Sequence, residues 1–176
     1  MVRALRRSDL RVLLRQGREE DREPFAALNA DPETMRYFPS TLSREESDSL
    51  VDWASALIDE RGWGLWAVEV PGVAPFVGFV GLNVPRFMPE VVEVGWRLLK
   101  EHWGNGYATE AGREALRYGF DELALDEIVS FTTVSNTPSR RVMERLGMTH
   151  DPSRDFDHPN VPDGPFKRHA FYAITR

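Results

Sequence analysis

The chain has 176 residues, of which 41% are hydrophobic and 28% charged, with no cysteine and a formal net charge of -6. That length suits a single domain, residues 1–176, folded around one core. The composition excludes a disulfide framework, thiolate chemistry and a Cys-ligated zinc, and the acidic balance argues against a nucleic-acid partner and for a cationic one.

The opening run MVRALRRSDLRVLL is Arg-rich but holds Asp9 and lacks an apolar stretch with a small-residue cleavage site. No secretory leader is expected, and the expected compartment is cytoplasmic. Residues 11–15 are a short strand candidate, and 19–30 read as a helix ended by the Asp31-Pro32 breaker. Ser43-Arg44-Glu45-Glu46 has the form of a capping box. Leu50, Ala54, Leu57 and Ile58 follow at helical spacing, so a helix is expected to Arg61, stopped by Gly62.

Three strand-like runs come next, 64–70, 76–82 and 91–99, separated by Pro and Gly. The uncharged stretch 71–85 lies among them, too short and too interrupted for a membrane span, which needs roughly 18 apolar residues. In the third run Val92, Val94, Trp96 and Leu98 share one face, and Val91, Glu93, Gly95 and Arg97 the other. From Asn105 onward Ala108, Ala111, Gly112, Ala115, Leu116, Gly119, Phe120 and Leu123 keep helical spacing. The small face of Ala108, Ala111 and Gly112 is expected to let this helix approach the sheet closely. Residues 127–133 return to strand, Thr137-Pro138 opens a helix that Gly147 ends, and 166–175 form the last strand. Consecutive strands in the middle and alternation afterwards predict an α/β fold, a mixed sheet with helices on both faces.

The strongest chemical signal is Leu98-Leu99-Lys100-Glu101-His102-Trp103-Gly104-Asn105-Gly106-Tyr107-Ala108-Thr109, a strand, a glycine loop and a helix start. Two glycines let successive N–H groups converge, and the helix dipole adds positive potential, so the N–H groups of Gly104, Asn105, Gly106, Tyr107, Ala108 and Thr109 suit an anion such as a pyrophosphate. An unliganded turn is the alternative. A Rossmann site fits less well, because Thr109 replaces the third Gly or Ala and too little chain follows for two nucleotide-binding halves. A Walker loop is excluded by the absence of a Gly-Lys pair.

A second signal is Asn136-Thr137-Pro138-Ser139 running to Glu144-Arg145-Leu146-Gly147-Met148. Asn136, directly after a strand, either bonds an extended amide ligand through its carbonyl and NH2 or caps the helix. Ser139 sits in the first helical turn with access to the strand ends, or is simply solvated there. The loop 151–165 (DPSRDFDHPNVPDGP) is too long for a hairpin turn and is either functional or disordered. Its Asp155, Asp157 and His158 are candidates for attracting a cationic amine, and His158 is a candidate base. As a metal site the set lacks matched ligands. Trp53, Trp63, Trp66 and Phe87 suit the core or the wall of an amine pocket.

At these two segments the chain resembles the GNAT superfamily of acetyl-CoA-dependent N-acetyltransferases. It is similar to the RimJ/RimL-type branch, which acetylates N-terminal amines of ribosomal proteins. Gly106 and Ala108 match the pyrophosphate motif, with Trp103 at its Gln/Arg position, and Leu13-Leu14-Arg15, Glu20-Asp21 and Tyr37-Phe38-Pro39 resemble the branch's first half. The resemblance implies a single-domain, mixed, mostly antiparallel sheet of about seven strands flanked by four helices, with two splayed parallel strands at the acetyl-CoA site. It implies that acetyl-CoA lies along Val94, Trp96, Leu98, Trp103 and the 104–109 loop, beside Asn136, Ser139 and Arg141, with no metal. The implied partner is an amine acceptor, and a homodimer is compatible.

Many members place a general-acid Tyr where this chain has Met143. In this branch the Ser of Asn-x-x-Ser takes that role, which points to Ser139. Glu93 is the candidate base, on the strand that the resemblance sets beside the acetyl group, where desolvation would raise its pKa. The alternative for Glu93 is a salt bridge, with Arg97 or an Arg of a neighbouring strand. The oxyanion is expected at a main-chain N–H between Val94 and Trp96, with Gly95 permitting a bulge. The expected acceptor is an N-terminal α-amine. A small-molecule amine is the alternative, and the missing Tyr leaves room for a non-catalytic acyl-CoA sensor.

Overall fold

The protein is described as a computed structural model covering residues 4, 5 and 8–176. The start of the chain, read above for a leader, lies partly outside them. The elements are β1 (Leu13–Arg15), α1 (Arg22–Ala30), α2 (Arg44–Arg61), β2 (Leu65–Val70), β3 (Ala74–Asn83), β4 (Glu93–Leu98), α3 (Tyr107–Asp121), β5 (Glu127–Thr133), α4 (Thr137–Arg145), β6 (Thr149–His150), β7 (Phe156–Asp157) and β8 (Arg168–Thr175). The strands form one eight-stranded sheet in the order β1-β2-β3-β4-β5-β8-β6, with β7 paired to β8. Every pairing is antiparallel except β4 with β5.

Local chemistry explains the elements. Ser43 caps α2 by accepting the Glu46 N–H at 3.2 Å, while the Glu46 carboxylate accepts the Ser43 N–H at 2.7 Å. Gly62, at φ 80°, ends that helix in a conformation glycine adopts freely. Residues 19–30 begin as a 3-10 turn at Glu19–Asp21 before α1. Arg15 is almost fully buried, and its guanidinium bonds both Asp21 carboxylate oxygens at 2.6 and 2.9 Å and Glu69 at 2.8 Å. This pair gives the Leu13-Leu14-Arg15 and Glu20-Asp21 runs a structural role, tying β1 to the start of α1.

The main core lies between the sheet and α3, α4, around Val68, Val80, Leu82, Val94, Ala111, Ala115, Ile128 and Met143. A smaller cluster, Phe25, Ala67 and Phe76, seals α1 and α2 onto the other face. Trp66 is a core residue, edge-on to Tyr118 at 5.4 Å, and Trp63 packs against the same core.

The mixed, mostly antiparallel sheet with four flanking helices is as expected; its eight strands include β6 and β7, two residues each and too short to leave a periodic signal, β6 just before and β7 within the run read as a loop. One expectation needs correction. Ala111 is fully buried in the core and Ala108 packs against it, as expected, but the glycine at the tightest approach of α3 to the sheet is Gly119, where a Cβ would meet Ile128 at 2.5 Å and Leu82 at 3.2 Å. Gly112 faces Leu146 beside α4 instead, with a Cβ contact of 3.0 Å. Spacing alone shows which residues share a helix face but not which neighbour that face meets.

Candidate active site

The parallel strands β4 and β5 share one register pair, Glu93 opposite Val129, supported by Val129 N–H to Val92 O at 2.9 Å. Beyond that pair the strands part, leaving the β5-facing edge of β4 without a strand partner. β4 pairs with β3 in unbroken register from Glu93 opposite Asn83 to Leu98 opposite Gly78. There is therefore no bulge at Gly95, and the main-chain groups exposed near Val94 to Trp96 come from the splay. Val94 itself is fully buried in the core, so only its main chain can face a ligand.

The glycine loop follows β4. Gly104 and Gly106 sit at φ 76° and 81°, where an L side chain is strained. Trp103 Nε1 donates to Leu98 O at 2.8 Å, and Asn105 Nδ2 donates to His102 O and Trp103 O. Arg11 braces the loop from outside through Asn105 O at 3.1 Å and Glu110 Oε2 at 2.9 Å. Among the described residues none of the six N–H groups from Gly104 to Thr109 has a hydrogen-bond acceptor. Six unpaired donors at a helix N-terminus form an anion cradle.

At the facing end of the gap, Asn136 caps α4. Its Oδ1 accepts the Ser139 N–H at 3.2 Å and its Nδ2 donates to Thr132 Oγ1 at 2.9 Å. The cap is formed, and it leaves one N–H of the amide and a second lone pair on its oxygen for a ligand in the cleft that Asn136 lines. Among the described residues the Ser139 hydroxyl has no hydrogen bond, and Met143 is buried in the core.

Two clefts open here. One, of about 610 Å³, is lined by Leu98, Trp103, the 104–109 loop, Asn136, Ser139 and Arg141, with Arg36 and Arg145 adding positive charge. The other, of about 940 Å³, is lined by residues of α2, β4, β5, the start of β8 and the loops before β4 and β8, among them Trp53, Phe87, Glu93, Phe131, His158, Phe166 and His169. The clefts share Tyr37, Phe38, Trp96, Arg97 and Ser139. Ser139 therefore stands where a donor held on the glycine loop would meet an acceptor entering from the wider cleft.

Glu93 lines the wider cleft, open to water on one side and enclosed by protein elsewhere. Burial pushes its carboxyl up to about 8. Among the described residues no hydrogen bond or ion pair reaches it, so the salt bridge with Arg97 is not formed. Arg97 bonds Asn29 Oδ1 instead.

The acidic-loop residues divide. His158 lines the cleft, but its Nδ1 accepts the Asn160 N–H at 3.2 Å, which places the remaining proton on Nε2 and leaves no free lone pair. Burial, with His169 and Lys167 nearby, lowers its pKa to about 4, so it is a poor base. Asp155 accepts from His150 at 2.9 Å and from the Phe171 N–H at 2.9 Å, locking the loop onto β8. Asp157 is exposed and faces Arg168. Neither Asp lines a cleft; Asp155 is engaged within the fold, while Asp157 remains on the exposed surface. Sequence reasoning did not single out Arg97, Phe131, Asn83 and His169 as cleft residues, and Tyr37 entered only through the resemblance. Only the fold brings these strand and loop positions together.

A splayed parallel strand pair, an anion cradle and a second cleft meeting it beside Ser139 define a two-substrate group-transfer enzyme using a phosphate-bearing donor. The chain matches the acetyltransferase (GNAT) domain over residues 11–149 and belongs to that family. It is similar to the uncharacterized protein YkkB of Bacillus subtilis, at 32% identity over 86% of this chain and 90% of that one. It is also similar to the FsC-acetyl coenzyme A-N(2)-transacetylase of Aspergillus fumigatus, at 32% identity over 89% of this chain and 70% of that one. Among solved structures it resembles a GNAT-family acetyltransferase from Bacillus anthracis, with TM-score 0.79 and 26% identity over 99% and 97% of the two chains. RimL, a ribosomal L7/L12 alpha-N-protein acetyltransferase in complex with coenzyme A, shares the fold at TM-score 0.78 and 16% identity over 98% of each chain. The protein is an N-acetyltransferase, and the glycine cradle suits the acetyl-CoA donor of its family.

Proposed function

We propose that the protein transfers the acetyl group of acetyl-CoA to the N-terminal α-amine of a protein or peptide, by direct attack with both substrates bound. The observation that carries this reading is Glu93, an unpaired carboxylate in the acceptor cleft held near 8 by burial. A free α-amine has a pKa of about 8, against about 10.4 for a lysine amine. A base and an acceptor matched in this way exchange a proton readily, and near pH 7 about a tenth of an α-amine is already neutral, against less than about a thousandth of a lysine. The volume of the cleft, about 940 Å³, gives room for a peptide acceptor.

In this reading the 104–109 N–H groups hold the pyrophosphate, and Arg36, Arg141 and Arg145 add positive charge beside it. Glu93 takes one proton from the amine nitrogen, directly or through water, as the new C–N bond forms. Main-chain N–H groups on the free edge of β4 near Val94 to Trp96 bond the carbonyl oxygen as it gains charge. Ser139 gives a hydrogen bond or proton to the sulfur as the C–S bond breaks.

A second reading, acetylation of a small-molecule amine, draws on the Aspergillus fumigatus relative, whose name places its acetyl group on N(2) of FsC. Thiol release with acetyl-CoA over free peptides, the same peptides blocked at the N-terminus, and small amines separates the two. Turnover on free peptides that blocking abolishes supports the proposal. Turnover on small amines alone replaces it with the second reading, and cofactor binding without turnover on any amine would indicate a sensor.

A further inference from the structure

The acceptor cleft contains a half-buried cation with no counter-ion among the described residues. Arg97 leaves β4 on the same face as Glu93, and its guanidinium lies 4.3 Å from the Phe38 ring centroid and 5.4 Å from that of Phe79. Nη1 donates to Asn29 Oδ1 at 2.5 Å. Nε is shut off from water with no acceptor, and among the described residues Nη2 makes no hydrogen bond and no carboxylate pairs with the group. The contrast with Arg15 is direct: there the fold supplies Asp21 and Glu69, whereas at Arg97 it supplies one amide oxygen and two ring faces. Desolvation lowers the Arg97 pKa to about 10, so the group is still charged at neutral pH. A charge kept in this state is costly unless something meets it, and it faces the place where the two clefts join.

We propose that Arg97 recognises a carboxylate of the acceptor, so that the preferred substrate carries an amine and a carboxylate on one molecule. The proposal rests on acetyl transfer in this cleft and adds the acceptor's chemical class. The donor's phosphates do not require Arg97, because the 104–109 N–H groups provide for them further along the chain. Glu93 and Arg97 are four residues apart on one strand, about 13 Å between Cα atoms at 3.3 Å per residue. That spacing favours a spacer of several bonds between amine and carboxylate over a free α-amino acid. An acidic side chain near the N-terminus of a peptide and a small ω-amino acid both offer this chemistry, and Arg presents a planar donor edge that suits it.

The test compares kcat/KM for two matched pairs: a free N-terminal peptide with Asp or Asn at its second or third position, and an ω-amino acid against its primary amide. The expected result is a preference of about tenfold or more for the carboxylate member, the range of a hydrogen bond to a charged group. Arg97→Gln is expected to collapse that ratio towards one, and Arg97→Lys to restore part of it. Preference in the peptide pair identifies an acidic N-terminal segment. Preference in the small pair with no peptide turnover keeps the Arg97 assignment while overturning the peptide reading above. The proposal is overturned by a wild-type ratio near one in both pairs. It is also overturned if Arg97→Gln lowers both members of a pair equally, which marks a structural clamp, or if it weakens acetyl-CoA without changing the ratio.

Discussion

The Oδ1 of Asn136 accepts the backbone N–H of Ser139 at 3.2 Å, and this bond sets the Ser139 hydroxyl at the meeting of the two clefts. Helix capping and catalytic positioning are here one interaction. Ser139→Ala keeps the cap, and its expected effect is a kcat loss of about 100-fold, the low end for general-acid assistance, with little change in acetyl-CoA affinity. Asn136→Ala removes the cap, and its expected cost is about 1 kcal/mol of stability together with a kcat loss from the displaced hydroxyl. Steady-state kinetics and thermal melts distinguish the two, since the first variant should melt like the parent.

Glu93 yields a pH prediction. Below pH 8 the logarithm of wild-type kcat/KM should fall with a slope approaching two, because both Glu93 and an α-amine acceptor must lose a proton. Glu93→Gln should lower the rate and reduce that slope to one, and an unchanged profile would remove Glu93 as base.

The same group links stability to pH. Its folded pKa, about 8, lies above its ordinary value of 4.5, so the folded state binds more protons between those values. The contribution is fully present below the unfolded pKa and is lost as pH rises through the folded one. Glu93→Gln is therefore expected to raise Tm at about pH 9, where the native carboxylate is ionised and buried, and to do so far less at about pH 4.

Gly106→Ala tests the cradle. The new Cβ has room, with Arg11 Nη2 at 3.6 Å, but φ 81° strains it, at a cost of about 1–2 kcal/mol. Relaxing that strain turns N–H groups away from the anion, so coenzyme A should bind roughly tenfold or more weakly by calorimetry.

Asp155→Ala separates a structural carboxylate from a substrate-binding one. Burial alone would raise the Asp155 pKa, but the Phe171 N–H and His150 hold it below the ordinary value. Its stabilisation is present above the unfolded pKa and is lost as pH falls through the folded one. The variant is expected to lower Tm at neutral pH while acceptor KM stays within about twofold, and a large rise in KM without loss of Tm would return Asp155 to the acceptor site.

The elements with long or punctuated signals were legible in the sequence. The capping box at Ser43, the 127–133 strand and the glycine loop all stand where spacing and turn chemistry put them, because local interactions decide them. Ser139 and Glu93 were legible as candidates, with the resemblance supplying their roles. Arg97 was not, because its partner Asn29 lies 68 positions away and its stacking rings on β3 and beyond α1. The engagement of Asp155 within the fold was not legible for a related reason. Its charge is visible in the sequence, but its engagement by a strand 16 residues later is not.

The most direct test of acetyl transfer to an α-amine uses a peptide carrying both a free N-terminus and an internal lysine, incubated with acetyl-CoA and mapped by tandem mass spectrometry. The expected result is one acetyl group on the α-amine, formed in step with coenzyme A release and lost in Glu93→Gln. Acetylation of the lysine alone, or no acetylated peptide while small amines react, would contradict it.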